Sequence, residues 1–236
     1  MSTLLLRLVA PLQSWGVDAK FDRRGTERTP SKSAVIGLVA AALGRRRNES
    51  TEDLQSLRFG VRVDREGALL RDYHTAKSDK SAYVTHRYYL ADAIFLVGLE
   101  GSEAFLAEIE HSLRYPAFPL FLGRRSCPPE GQLLLGIRRN KTLVEALCEE
   151  PWLVSDWAQK REATEVHLRI VTDADDLSTS AYFQRDIPLS FDQDHRKFGF
   201  RRVCESPSLA IQNAASLHAR RKGPIQHDPM LELGDD

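Results

Sequence analysis

The residues best equipped for chemistry are cations gathered near the start of the chain. Between Pro11 and Arg47 stand Lys20, Arg23, Arg24, Arg28, Lys32, Arg45, Arg46 and Arg47. Over residues 1–47, nine Lys+Arg face three acids, a net of +6 in a chain whose formal total is zero. Such side chains grip phosphates, Arg through a planar fork of N–H donors. Pro30-Ser31-Lys32-Ser33 adds to this: Ser31 or Ser33 can cap a helix that begins there, and a helix start offers free N–H groups and a positive dipole end to an anion. It is not a nucleotide-binding Walker loop, because Ser31 rather than Gly precedes Lys32 and Thr26 stands six positions before it, which discounts ATP.

A second group lies further on. Arg71, Tyr73, His74, Lys77, Lys80, His86, Arg87 and Tyr88 interleave cations with rings, a pattern that suits single-stranded nucleic acid: cations meet phosphates and rings stack on bases. An ordinary exposed hairpin accounts for the same residues equally well. Gln13-Ser14-Trp15-Gly16 places an amide, a hydroxyl and an aromatic plane at the end of a strand, where Trp15 serves either as a lid on the core or as a platform for a ligand. Arg124 and Arg125 sit in a loop bounded by Gly and Pro. His74 beside Tyr73 and Lys77, or else His86, supplies a general base and a cation for cleavage at a ribose 2′-hydroxyl. The seven histidines fall in no His-Glu-x-x-His frame and no paired acids stand at metal-ligand spacing, so neither a metal nor another cofactor is expected.

The elements that must carry these residues are legible from hydrophobic patterning. Thr3 to Ala10 is an almost unbroken apolar run ended by Pro11, as expected of a strand buried on both faces. Val35 to Leu43 forms a small-residue helix closed by Gly44, with Arg45 to Arg47 at or past its last turn. Ser50 to Asp53 resembles a capping box opening a short helix to Leu57, and Phe59 to Asp64 alternates like a half-buried strand. A projecting hairpin, or thumb, spans about 71–89 with its tip at Lys77 to Ser81. Leu90 to Leu99 is a strand, Ser102 caps a helix to Leu113, and Leu133 to Ile137 is a further strand. This order fits an α+β, ferredoxin-like domain over 1–139, the plan of RNA-recognition modules. A smaller β-rich lobe over 140–236 follows, with a helix at Thr142 to Cys148 and strands at Val166 to Ile170, Tyr182 to Leu189 and Lys197 to Val203.

Composition sets outer limits. The 236 residues, 42% hydrophobic and 28% charged, suffice for real cores and argue against disorder. No apolar run approaches the roughly 20 residues of a membrane span, and the short run Leu4 to Ala10 lacks the flanks of a signal peptide, so a cytoplasmic, membrane-free protein is expected. Cys127, Cys148 and Cys204 are odd in number and far apart, which signals neither a disulfide framework nor a zinc ribbon. Glu145 to Asp176 holds nine acids against three cations, and Ile225 to Asp236 four acids and no cation, so an acidic face suited to a basic protein neighbour is expected.

Taken together, Pro11-Leu12-Gln13-Ser14-Trp15-Gly16, Pro30 to Leu38, Ala40-Ala41-Ala42-Leu43-Gly44-Arg45-Arg46-Arg47, Tyr73-His74-Thr75-Ala76 and Leu122-Gly123-Arg124-Arg125-Ser126-Cys127-Pro128 resemble the CasD family of the type I-E CRISPR complex Cascade. The resemblance spans nearly the whole chain and is strongest before Pro129. It implies a noncatalytic subunit that holds the 5′ handle of the crRNA and caps the backbone filament. Its neighbours would be the CasC backbone subunit and the large CasA subunit, with target DNA met through the complex; a different subunit, CasE, cuts the precursor. The implied handle contacts are Gln13, Ser14, Trp15, Arg23, Arg24, Ser31, Lys32, Arg45, Arg46, Arg47, Tyr73, His74, Arg87, Tyr88, Arg124 and Arg125. Related handle-binding proteins of type I-C cleave RNA without metal, which keeps a precursor-processing endoribonuclease as the alternative. A free-standing regulatory RNA binder or a small-ligand domain is a third class.

Overall fold

The computed structural model describes residues 1–16, 23–77, 81–175 and 180–218. Lys20, the hairpin tip at 78–80, Asp176 and the acidic stretch from Ile225 therefore lie outside the described residues. The elements run β1 (Ser2–Val9), β2 (Leu12–Gln13), β3 (Arg23–Arg24), α1 (Lys32–Ala42), α2 (Glu52–Gln55), β4 (Arg58–Arg65), β5 (Ala68–Lys77), β6 (Ala82–Ala91) and β7 (Ile94–Gly101). They continue α3 (Glu103–Arg114), β8 (Leu134–Arg138), α4 (Leu143–Glu149), α5 (Asp156–Gln159), β9 (Glu165–Asp173), β10 (Tyr182–Ser190) and β11 (Lys197–Gln212).

Seven strands form one sheet in the order β10-β11-β9-β4-β7-β1-β8. The fold is mixed α/β with antiparallel pairing throughout this sheet. The sheet crosses residue 140 without a break, because β9 pairs directly with β4.

Helices cover both faces of its centre. Leu4, Leu6 and Leu8 of β1 face a core shared with Val35, Ile36 and Val39 of α1 and with Leu106 and Ile109 of α3. Leu5, between them, points the other way into a smaller core with Leu143, Ala146 and Leu147 of α4. Two-sided burial is why β1 reads as a continuous apolar run. Gly98 of β7 leaves room for α4, since a Cβ there would stand 2.6 Å from Leu143 Cδ1.

Two expectations change here. β4 is not half-buried: α4 and the segment after it cover its second face, and Arg62 is 0% exposed. Arg62 meets Asp64 through Nε and Nη2 at 2.7 and 2.8 Å and donates to the carbonyls of Leu147, Glu150 and Pro151, the arrangement a buried guanidinium requires. The box at Ser50 to Asp53 does not form either, because Thr51 turns its hydroxyl to Pro188 O while Ser50 Oγ takes the Glu52 amide. The reciprocal box occurs instead at α4, between Thr142 and Glu145.

The second, four-stranded sheet carries the long hairpin β5–β6, with β2 antiparallel and β3 parallel to β6. Gly67 makes its entry possible: φ is +70° and a Cβ would lie 2.4 Å from Ala91 O.

Candidate nucleic-acid interface

Five of the expected contact residues turn inward. Gln13 donates to Ala93 O at 2.7 Å and Leu8 O at 3.3 Å, and Ser14 Oγ donates to Tyr88 O at 3.2 Å. Trp15 is 1% exposed, its ring edge-on to Phe95, so it is the lid on the core rather than a stacking platform. Ser31 caps α1 by accepting from Ala34 N.

Lys32 shows the largest departure from expectation. Its amide donates to Asp186 Oδ2 at 2.8 Å, and its ammonium meets Asp173 Oδ2 at 3.0 Å. Arg201 closes the network, bonding Asp186 through Nε and Nη2 at 2.6 and 2.9 Å and Asp173 through Nη1 at 2.6 Å. The anion at this helix start is thus a carboxylate of the chain itself, held in place of a phosphate. Burial opposes the Arg201 charge, but Asp186 and Asp173 outweigh it and raise its proton affinity above the ordinary arginine value. Asp173, expected on a free acidic face, serves this network instead, and Asp175 pairs with Arg58.

What faces outward is the base of the hairpin. Antiparallel register sets Tyr73 opposite His86, Arg71 opposite Tyr88 and Asp72 opposite Arg87. Since neighbours across a ladder share a face, one face carries Arg71, Tyr73, His86 and Tyr88. The other carries Asp72, His74, Arg87 and, at its root, Tyr89. β3 lays Arg23 beside His86 and Arg24 beside Arg87, and the Arg23 guanidinium lies over the Tyr88 ring, 5.1 Å from its centroid. Gly123, at φ +87°, brings the loop from Leu122 to Cys127 against Ser14. Arg124 of that loop stacks over Tyr89 at 4.5 Å and donates to Arg24 O at 2.9 Å.

Arg23 on the first face and Arg24, Arg87 and Arg124 on the second thereby border the β3–β6 edge, Arg125 stands exposed next along the loop, and among the described residues none of the five forms a salt bridge with a carboxylate. Buried nitrogens here also lack partners: Arg87 Nε, Arg124 Nη1 and His86 Nδ1. A buried N–H without an acceptor costs about 1–3 kcal/mol, a cost that an incoming phosphate or base oxygen relieves. Burial alone would raise the Tyr89 phenol, but hydrogen bonds from Arg124 and Ser126 and the nearby Arg charge bring it below its usual range.

Two residues that residue order did not single out belong to this site. Tyr89 follows Arg87 at strand period two. Asp72 precedes His74 by the same spacing, and its Oδ2 lies 2.6 Å from His74 Nε2. Arg45 is removed from the free set, held by Asp53 in a two-pronged pair; Arg46 and Arg47 remain exposed beyond the helix end. No group of three His, Cys, Asp or Glu among the described residues is placed to hold a metal ion, and no helix there is long and apolar enough to cross a membrane.

Residues 3–204 match the family model of the CRISPR-associated protein Cas5. The Escherichia coli K12 CRISPR system Cascade subunit CasD is 34% identical over 192 residues, which cover 71% of this chain and 85% of that protein. A chain of a solved CRISPR RNA-guided surveillance complex superposes with a TM-score of 0.74 at 32% identity, covering 91% of this chain and 92% of the other. A solved Cas protein gives 0.70 at 40% identity, covering 91% and 97%. With a match that runs through the helices, the hairpin and the joined sheet alike, the chain belongs to the Cas5 family of CRISPR-associated proteins.

Proposed function

We propose that this chain is the subunit of a CRISPR surveillance complex that binds the 5′ handle of the crRNA and caps one end of the backbone filament. In this reading β1, α1, β4, β7, α3 and β8 form the ferredoxin-like half, and β5–β6 is the thumb that presses on the guide. The strands β9 to β11 build out the C-terminal lobe from residue 140. The observation that carries the reading is the cationic edge of Arg23, Arg24, Arg87 and Arg124 with Tyr88 and Tyr89, where among the described residues no carboxylate forms a salt bridge with these cations and buried side-chain nitrogens lack partners. A polyanion with exposed bases is the ligand that satisfies both at once. Its neighbours in the assembly are a CasC-type backbone subunit and a CasA-type large subunit, the partners that the resemblance to the CasD family implies. The protein works in the cytoplasm and reaches target DNA through the complex, without a catalytic role of its own.

The test is assembly with Arg23→Glu/Arg124→Glu. Guide RNA should be lost from the purified complex, and the remaining affinity of milder Gln variants should depend less steeply on salt. Unchanged RNA content and unchanged salt response would refute the reading.

One observation favours a second reading, precursor cleavage. Asp72 fixes Nε2 of His74 and leaves Nδ1 for a ribose hydroxyl, the arrangement of an oriented general base. Cleavage of labelled precursor RNA at one position in EDTA, abolished by His74→Ala, would establish it. RNA that stays intact would remove it.

A further inference from the structure

The edge of a sheet leaves backbone N–H and C=O groups without partners, and folds close such edges with bulges, prolines or side chains. Two edges of this protein are closed in that way. On β8 the register shifts opposite Leu5 and Leu6, and Gly136 turns to φ +98°. The carbonyls of Leu134 and Leu135 there accept from Gln132 Nε2 at 2.8 Å and Arg138 Nη1 at 3.2 Å. On β10 Pro188 lies between two register shifts, and its carbonyl accepts from Thr51 Oγ1. β2 and β3 are two residues long.

β5 is different. Among the described residues it pairs with β6 alone, over ten residues from Ala68 to Lys77, in unbroken register and without a proline. Two hydrogen bonds show which of its backbone groups point away from β6. Tyr88 O accepts from Ser14 Oγ at 3.2 Å, so it points past β2 and away from β5. His74 O accepts from Thr85 Oγ1 at 3.3 Å, so it points towards β6. In an antiparallel ladder, pairs that face each other alternate with pairs that face apart. Arg71, opposite Tyr88, therefore turns its N–H and C=O to the open edge, and with it Leu69, Tyr73 and Thr75 do the same. Among the described residues these groups form no hydrogen bond.

A row of alternating donors and acceptors at a two-residue repeat is the complement of another extended polypeptide. A nucleic acid does not fit it, because each outward carbonyl would repel a phosphate. The side chains of this row share a face with Val84, and Leu69, Tyr73 and Val84 are 48%, 69% and 48% exposed. Arg71 and Lys77 supply the charge of that face, which carries no carboxylate on β5 or β6. A second copy of β5 would set cations against cations. A strand with apolar side chains at alternate positions and an acid beside Arg71 would balance them.

We propose that the open edge of β5 accepts an extended segment of a neighbouring protein subunit as an added strand. The segment lies beside β5 in the plane of the sheet, so the faces of the hairpin and the cations along β3 stay open to RNA. The added strand does not depend on the handle-binding reading.

Amide hydrogen exchange, read residue by residue in the isolated chain and in the assembled complex, tests this. In the isolated chain β6 should protect Leu70, Asp72 and His74 but not Leu69, Arg71, Tyr73 and Thr75. In the complex those four outward amides should slow by at least about tenfold. Thr75→Pro removes an outward N–H that β6 does not use and should weaken association with the neighbouring subunit about tenfold, whereas Thr75→Ala keeps that N–H and should associate normally. Should the proline loosen the hairpin, exchange in the unaltered protein still decides. A photocrosslinker placed at Thr75 should mark a peptide of another subunit.

Outward amides that exchange as fast in the complex as in the isolated chain would overturn the proposal, whatever the RNA content of the Arg23→Glu/Arg124→Glu complex, which tests the handle-binding reading alone. Adducts confined to the guide, or to a second copy of this chain, would overturn the choice of occupant and the proposal with it.

Discussion

Asp186→Asn is the most informative single perturbation of the fold. The carboxylate is 0% exposed and accepts three hydrogen bonds, from the Lys32 amide at 2.8 Å and from Arg201 Nε and Nη2 at 2.6 and 2.9 Å. Asparagine keeps the shape but carries no charge and can accept on one atom only, so one Arg201 donor faces an NH₂ group. Arg201, itself 7% exposed, is left with Asp173 as its remaining carboxylate. Breaking a buried ion pair by removing one partner costs about 3–5 kcal/mol. For a chain of this size each kcal/mol moves the midpoint by about 2–4 °C, so a fall of about 6–20 °C is expected. Thermal unfolding followed by circular dichroism measures it. Inorganic phosphate should not restore the midpoint if the helix start is structural. A shift under about 2 °C, less than 1 kcal/mol on the same scale, or full rescue by phosphate, would show that α1 begins at an anion site and that the internal network is incidental.

Four further outcomes are expected. Arg62→Ala leaves Asp64 and three carbonyls short of donors in the core and should cost about 3–5 kcal/mol in denaturant unfolding. Gly123→Ala would place a Cβ 1.6 Å from Ser14 O at φ +87°, so it should displace Arg124 and weaken guide binding severalfold; Gly131→Ala, which meets only the flexible end of Arg7 at 3.3 Å, should leave binding intact. Asp53 is held below the usual carboxylate range, foremost by its hydrogen bond from Arg45. A depressed carboxylate stabilises above its ordinary pKa of about 3.9 and loses that contribution as pH falls through the folded value. Asp53→Asn should therefore lower stability at pH 7, by under about 1 kcal/mol for so exposed a pair, and the difference should fade as the solution is acidified below that ordinary value. Burial raises the Cys127 thiol, so maleimide at neutral pH should label it only on unfolding.

Much of the framework could be read from residue order because it depends on local signals. The apolar run of β1, the Ser31 cap and Gly44 stop of α1, the Ser102 cap of α3 and the two arms of the hairpin each declare themselves within a short stretch of chain. The cationic junction was also visible in residue type, since Arg23, Arg24, Arg87, Tyr88 and Arg124 are unusual company for one another. What residue order concealed was which cations are already answered. Lys32 finds its acids 141 and 154 residues away, a pairing set by the docking of β10 on α1. Arg62 reads as the polar side of an alternating strand until α4 covers it. A clue existed in both cases: Asp186 sits inside the strand sequence Tyr182–Ser190, and Arg62 and Asp64 share one strand face, positions at which a charge must be either exposed or paired.

The central claim is that the base of the β5–β6 hairpin grips the leading end of a guide RNA. Photocrosslinking of the assembled complex, with a 4-thiouridine placed at each uridine-tolerant position of the 5′ segment and the peptides read by mass spectrometry, tests it most directly. Adducts should fall at Arg23–Arg24, Tyr73–His74, His86–Tyr88 and Arg124–Arg125. Crosslinks from that segment confined to other subunits, with this chain unmarked, would contradict it.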